Sequence, residues 1–246
     1  MPLLFGLSIL VQILLVIHIL KTGRNTFWIY LVIFAPMIGS VAYIIVELLP
    51  EFFGTRTGRK VTTGMDNVLN PNRKLKQAAQ NYEIADTVEN ARRLALECLD
   101  KGRFDEARDL FQKSLKGIYA DDPNLMLGLA RSYYGLEQYP QVKQTLDDLK
   151  VKNPDFQHAE AHLLYARTLD KMNDVDGALH EYAVLADYYP GPEPIVRLGL
   201  LLKKQGRIDD AKQRFNRVLT LAKNSGRNYR DFHKQWIDLA KRELDD

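Results

Sequence analysis

Cysteine is almost absent: Cys98 is the only one in 246 residues. That excludes an internal disulfide framework and any zinc site built on thiolates. Cys98 falls within an apolar helical stripe and reads as a buried core thiol, in keeping with a reducing compartment. An excess of either charge sign is also missing. Lys and Arg total 34 against 31 Asp and Glu, so the basic surplus expected of a nucleic-acid binder is not there. No Gly-rich phosphate loop, Gly-x-Ser-x-Gly elbow or nucleophile–base constellation occurs. His158 and His162 stand four apart, but Glu160 is not in the zinc-protease position. His158 is expected in a turn before a helix, where its ring would not share a face with His162. Neither an enzyme nor a cofactor or metal site is expected. The sequence is silent on self-association.

Charge is scarcest in residues 1–50, which hold only Lys21, Arg24 and Glu47. The run from Pro2 to Leu20 is apolar apart from Gln12, His18 and a serine, and nothing about it suggests a removable signal peptide. Lys21–Thr26 is a short polar turn, followed by 23 mostly apolar residues from Phe27 to Leu49. As one helix those 23 would rise about 34 Å, enough to cross a bilayer. The expectation is therefore a transmembrane hairpin with helices at about 3–20 and 27–49. Trp28 and Tyr30 would lie at the far interface, with Glu47 snorkelling at the near one. Pro36 would kink the second helix, while Ala35 and Gly39 would give the first a small-residue face to pack on. Lys21 and Arg24 in the turn are outweighed by Arg56, Arg59, Lys60, Arg73, Lys74 and Lys76 beyond the second helix, which places the C-terminal part in the cytoplasm.

The segment FWIYLVIFAPMIGSVAYIIVELLP, with Trp28, Pro36, Gly39 and Tyr43, resembles the two-helix membrane module found ahead of bacterial cardiolipin synthases and phospholipase D-like proteins. Any tight membrane hairpin would use the same residues. Phospholipase D chemistry would need a His with a Lys two residues later. None of His18, His158, His162, His180 and His233 has one, so the catalytic half is missing. Residues 51–70, with Gly54, Gly58, Gly64 and several threonines, read as a flexible tether. Arg56, Arg59 and Lys60 within it are candidates for contact with anionic headgroups, at about 1 kcal/mol each.

From residue 71 a period of roughly 34 residues emerges. Lys101–Ala107 (KGRFDEA) recurs in kind at Tyr139–Val142, Val175–Ala178 and Ile208–Ala211. Aligned on these, the first helices carry Leu94, Leu129, Tyr165 and Leu198, each followed by a small residue: Ala95, Ala130, Ala166 and Gly199. Cys98, Tyr133, Leu169 and Leu202 come three positions further on. The second helices carry Ala107, Val142, Ala178 and Ala211, then Phe111, Leu146, Tyr182 and Phe215. Pro154 and Pro190 close two units. This pattern resembles the tetratricopeptide repeat (TPR), although Ala91, Met126, His162 and Ile195 stand where its tryptophan is usual. The resemblance implies an all-α protein: a TPR-type α-solenoid over residues 71–227 behind the hairpin. A lead-in helix at 71–85 would precede repeats at about 88–121, 123–156, 159–192 and 192–225. Asp86 and Glu89 would form a capping box. A capping helix at 228–246 would seal the end with Phe232, Trp236 and Leu239.

TPR proteins commonly hold extended peptides in the groove formed by their first helices. Carried over by position, that groove would be lined by Arg92, Leu127, Arg131, Tyr134, Leu163, Arg167, Lys171, Val196, Leu200, Lys203 and Lys204. Its cations would suit an acidic or C-terminal carboxylate-bearing segment. Alternatively, Glu89, Asp100, Glu160, Asp170 and Glu193 would neutralise them. Two functions remain open. One is a non-catalytic scaffold or adaptor, multi-pass in the bacterial inner membrane, that recruits a protein partner to the cytoplasmic face. The other is an accessory factor for phospholipid synthesis or remodelling that acts through the hairpin and the lipid bilayer.

Overall fold

The computed structural model describes residues 2–50 and 72–245, with the side chains of residues 2–8, 36 and 37 outside that description. The tether at 51–70, including Arg56, Arg59 and Lys60, lies outside the described residues. The chain divides into two compact units at Arg73 and Lys74. No strand occurs among the described residues.

In the first unit, α1 (Pro2–Thr22) is followed by α2 (Phe27–Phe34), α3 (Pro36–Tyr43) and a π-helical turn at Ile44–Leu48. The second apolar run is thus not one helix. It breaks at Ala35, which leaves helical geometry at φ −128° and ψ 72°, with Pro36 opening α3. Pro is favoured at a first helical turn because it brings no N–H that would need a partner there. Three contacts nested about Ala35 show that the chain turns back on itself. A Cβ on Gly39 would lie 2.1 Å from the Leu31 carbonyl oxygen. Further out, the Trp28 and Tyr43 rings meet edge-on at 5.4 Å, and Arg24 pairs with Glu47 at 2.5 Å. Gly39 therefore admits α2, not the first helix as the sequence suggested. Among the described residues no helix is long and apolar enough to cross a membrane, so the expected transmembrane hairpin of helices 3–20 and 27–49 is replaced by this shorter one. Trp28 does not sit apart at an interface and Glu47 does not snorkel, because the Trp28 indole N–H donates to Glu47 Oε1 at 3.2 Å. Leu15, Ile19, Val32 and Tyr43 form the buried centre.

The second unit is a solenoid of paired helices. α4 (Arg73–Ile84) leads into α5 (Val88–Asp100) with α6 (Phe104–Ser114), then α7 (Pro123–Gly135) with α8 (Tyr139–Lys152). The third pair is α9 (Ala159–Lys171) with α10 (Val175–Tyr188), and the fourth is α11 (Glu193–Lys204) with α12 (Ile208–Asn224). α13 (Arg227–Phe232) and α14 (Lys234–Asp245) follow. Side chains cap the helix starts. Asp122 accepts from the backbone of Asn124 and Leu125 ahead of α7, and Asp174 accepts from Gly177 at α10. At α5 the cap is Thr87, not Asp86. Asp86 instead pairs with Lys113 at 2.5 Å.

Each pair turns through the same device. Gly102, Glu137, Asn173 and Gly206 occupy equivalent places, all with φ between 58° and 77°. The next residue's N–H reaches back to the first helix: Arg103 to Cys98 O, Gln138 to Tyr133 O, Asp174 to Leu169 O and Arg207 to Leu202 O. This is the left-handed helix ending that satisfies otherwise orphaned carbonyls. The small columns Ala95, Ala130 and Ala166, and Ala107, Ala178 and Ala211, are buried, as are Phe111, Tyr182 and Phe215. Burying each phenylalanine ring contributes roughly 1.5–3 kcal/mol. The C-terminal segment is not one helix: it breaks at His233. Phe232 is left 83% exposed, while Ile237, Ala240, Trp236 and Leu239 pack on the last repeats.

Candidate functional site

Three of the residues expected in the groove come together. Arg131 and Tyr134 from α7 and Arg167 from α9 line a cleft of about 400 Å³. Its walls add Leu96, Leu99 and Asp100 from α5, Phe104 from α6, Gly135, and Glu160 and Leu164 from α9. The first helices of three successive repeats thus supply most of one concave surface. Gly135 is required here because a Cβ would lie 2.3 Å from the Phe104 ring. Burial holds the Tyr134 phenol above its ordinary range despite nearby Arg167, Arg197 and Lys171, so it remains a neutral hydrogen-bond donor.

The other expected residues fall elsewhere. Leu127, Leu163 and Val196 are buried, 4%, 1% and 0% exposed. Leu127 shares a cluster with Ala161 and Leu164, and Leu163 one with Val196, so these positions pack repeat against repeat instead of lining the groove. Further along, Leu200 packs in the cluster that holds Trp236 and Leu239 of α14, and Lys203 pairs with Glu243 of α14 at 2.9 Å. The C-terminal helix therefore takes up that end of the surface, with Lys204 exposed beside it. Sequence columns identify which residues face inward but not which are then covered, because cover depends on superhelical curvature and on the last helix.

The cations also sort themselves by partner. Arg92 pairs with Glu89 at 3.0 Å. The Arg167 Nε donates to Glu193 Oε1 at 2.6 Å, as does the Arg197 Nε at 2.6 Å. Of the acids proposed to neutralise the groove, Glu89 and Glu193 do so, while Glu160 accepts from the Tyr189 hydroxyl at 2.6 Å. Arg131, Lys171 and Lys204 have no ion-pair partner among the described residues.

A larger cavity of about 700 Å³ lies between α8, the 153–158 turn, α9 and α10. Leu146, Leu149, Pro154, Phe156 and Tyr165 line it alongside His162, Glu181 and Tyr188. Both His162 nitrogens are engaged, Nδ1 with the Tyr188 hydroxyl and Nε2 with Glu181, each at 2.5 Å. His158 caps α9 by accepting from the Ala161 N–H. No metal-binding group of three such side chains occurs among the described residues.

Two stretches of the chain match tetratricopeptide repeat family models, residues 99–158 and 195–225. No curated protein sequence matches the chain. Among solved structures, MamA (residues 41 to the end) from Desulfovibrio magneticus RS-1 is similar at TM-score 0.57 and 14% identity, over 73% of this chain and 97% of that one. A thermophilic TPR protein from Thermus thermophilus gives TM-score 0.51 and 19% identity, over 70% and 87%. YrrB, a TPR protein with an unusual peptide-binding site, gives 0.50 and 17%, over 65% and 83%. These likenesses establish a TPR-type solenoid as the fold.

Proposed function

We propose that the chain is a non-catalytic scaffold, attached to a membrane by its first unit, whose cleft grips a short carboxylate-bearing segment of a partner protein. The observation that carries this reading is Arg131: a guanidinium in a concave cleft, without an ion-pair partner among the described residues, beside a neutral Tyr134 donor and the apolar Leu96, Leu99 and Leu164, with Asp100 and Glu160 also in the walls. Such a group donates two parallel N–H bonds to a carboxylate, and the apolar walls suit the neighbouring side chains of an extended peptide. That similar folds include a TPR protein with a peptide-binding site supports the same class of ligand. Membrane attachment rests on the first unit, which exposes many large apolar side chains among its described residues.

Affinity capture from solubilised membranes tests the reading. Arg131→Ala and Lys171→Ala together should release the captured partner and remove most of the salt dependence of capture. Arg92→Ala, which removes a cation already paired with Glu89, should leave capture unchanged. Equal capture by all three proteins would take the cleft out of the function.

A further inference from the structure

We infer that residues 27–49 enter a single leaflet of a lipid bilayer as a re-entrant helical hairpin and return to the side from which they came. This deepens the membrane-attachment part of the proposed function and rests on it.

The contacts nested about Ala35 give the hairpin a tip and a base. Phe34 and Ile38 flank the tip and are 82% and 76% exposed. The base holds Lys21, Arg24 and Glu47, the only Lys, Arg, Asp or Glu side chains of residues 1–50. A wedge that is apolar at one end and charged at the other fits an interface between hydrocarbon and water. Its depth fits as well. α2 has eight residues, a rise of about 12 Å, against about 15 Å for half of a hydrocarbon core ~30 Å thick.

The unit differs from a water-soluble helical bundle in exposing large apolar side chains around an apolar centre. Several polar side chains turn inward: His18 Nδ1 meets the Tyr43 hydroxyl at 3.0 Å, the Trp28 indole bonds Glu47, and Ser40 is buried. Among the described residues every element exposes large apolar side chains: Ile13 and Ile17 on α1, Ile33 on α2, Val41 on α3 and Ile45 in the π turn. A protein partner would cover one face, whereas acyl chains surround all of them. The reversal spends a single non-helical residue, Ala35, whose N–H donates to Leu31 O and whose carbonyl accepts from Gly39. Attachment of this kind needs no helix long enough to cross.

The test uses the full chain carrying Cys98→Ala, with Thr26→Cys and Pro50→Cys at the two exposed ends of the hairpin, on vesicles of phosphatidylethanolamine and phosphatidylglycerol. The protein should float with the vesicles. A membrane-impermeant maleimide should reach both thiols from the same face, and spin labels on the pair should lie within about 20 Å, the separation of packed helices plus two label arms. A straight helix would put them about 36 Å apart. Flotation with the thiols on opposite faces or at the longer distance would overturn the one-leaflet hairpin while leaving attachment intact. Failure to float would overturn attachment and the inference together.

Discussion

The Arg167 Nε donates to Glu193 Oε1 at 2.6 Å, tying the third repeat to the fourth. Glu193 is buried and shared with Arg197, and the Arg197 guanidinium lies 5.2 Å from the Trp236 ring centroid. One of the two equivalent groove arginines is therefore a joint of the solenoid, and the other, Arg131, has no ion-pair partner among the described residues. Arg167→Ala should cost about 1–3 kcal/mol, the worth of hydrogen bonds to a charged group. Arg131→Ala, on the exposed surface, should stay within about 0.5 kcal/mol. Chemical denaturation of both variants checks the asymmetry, and equal stabilities would contradict it.

Glu137 holds φ 58° at the turn where Gly102 and Gly206 serve other repeats. A side chain in this region costs about 1–2 kcal/mol, and glycine gives back about 0.4–1 kcal/mol through the unfolded chain's entropy. Glu137→Gly should therefore raise stability slightly, by about 0.5 kcal/mol, in a denaturation series. A clear loss would mean that the Glu137 side chain makes a contribution beyond its backbone angle.

Gly128 of α7 faces Phe111 of α6, and a Cβ there would lie 2.3 Å from the ring. Both residues are buried. Overpacking at this site should make Gly128→Ala destabilising by about 1–3 kcal/mol. The double variant with Phe111→Leu should recover part of that loss, since contacting residues couple. Strictly additive effects would show that the two do not share the space.

His233 sits where the C-terminal segment breaks, its ring beneath Gly191 and 4.4 Å from the Tyr229 ring. Burial lowers its pKa below the ordinary histidine value. The unfolded chain, with a pKa of about 6.5, then takes the proton before the folded one does. The stability linked to His233 is therefore complete above about pH 6.5 and is lost as pH falls through the depressed folded value. Thermal melts between pH 7.5 and 5 should show a decline that His233→Gln reduces. An unchanged decline in that variant would assign it to other groups.

The repeats were legible because Ala95, Ala130, Ala166 and Gly199 recur at a fixed place. Close helix crossing admits only small side chains, so packing writes itself into the sequence there. Arg131, Tyr134 and Arg167 were legible for the same reason, since an inward position on one helix repeats on the next. Leu127, Leu163 and Val196 misled because inward-facing and exposed are different properties, separated only by how the neighbouring first helices and the cluster with α14 close over them. The fold-back at Ala35 was also hidden. No charged residue interrupts Phe27 to Val46, and whether Pro36 bends or reverses a helix depends on Gly39 being able to touch Leu31, a contact between residues eight apart that periodicity does not encode.

The central claim is that the concave cleft holds the partner, and site-specific photocrosslinking tests it most directly. A benzophenone side chain in place of Tyr134 in the full-length protein should yield one covalent adduct in native membranes. That adduct should disappear when Arg131→Glu is added, and a benzophenone at exposed Lys212 of α12 should yield none. An adduct that survives Arg131→Glu, or forms equally from Lys212, would contradict the claim.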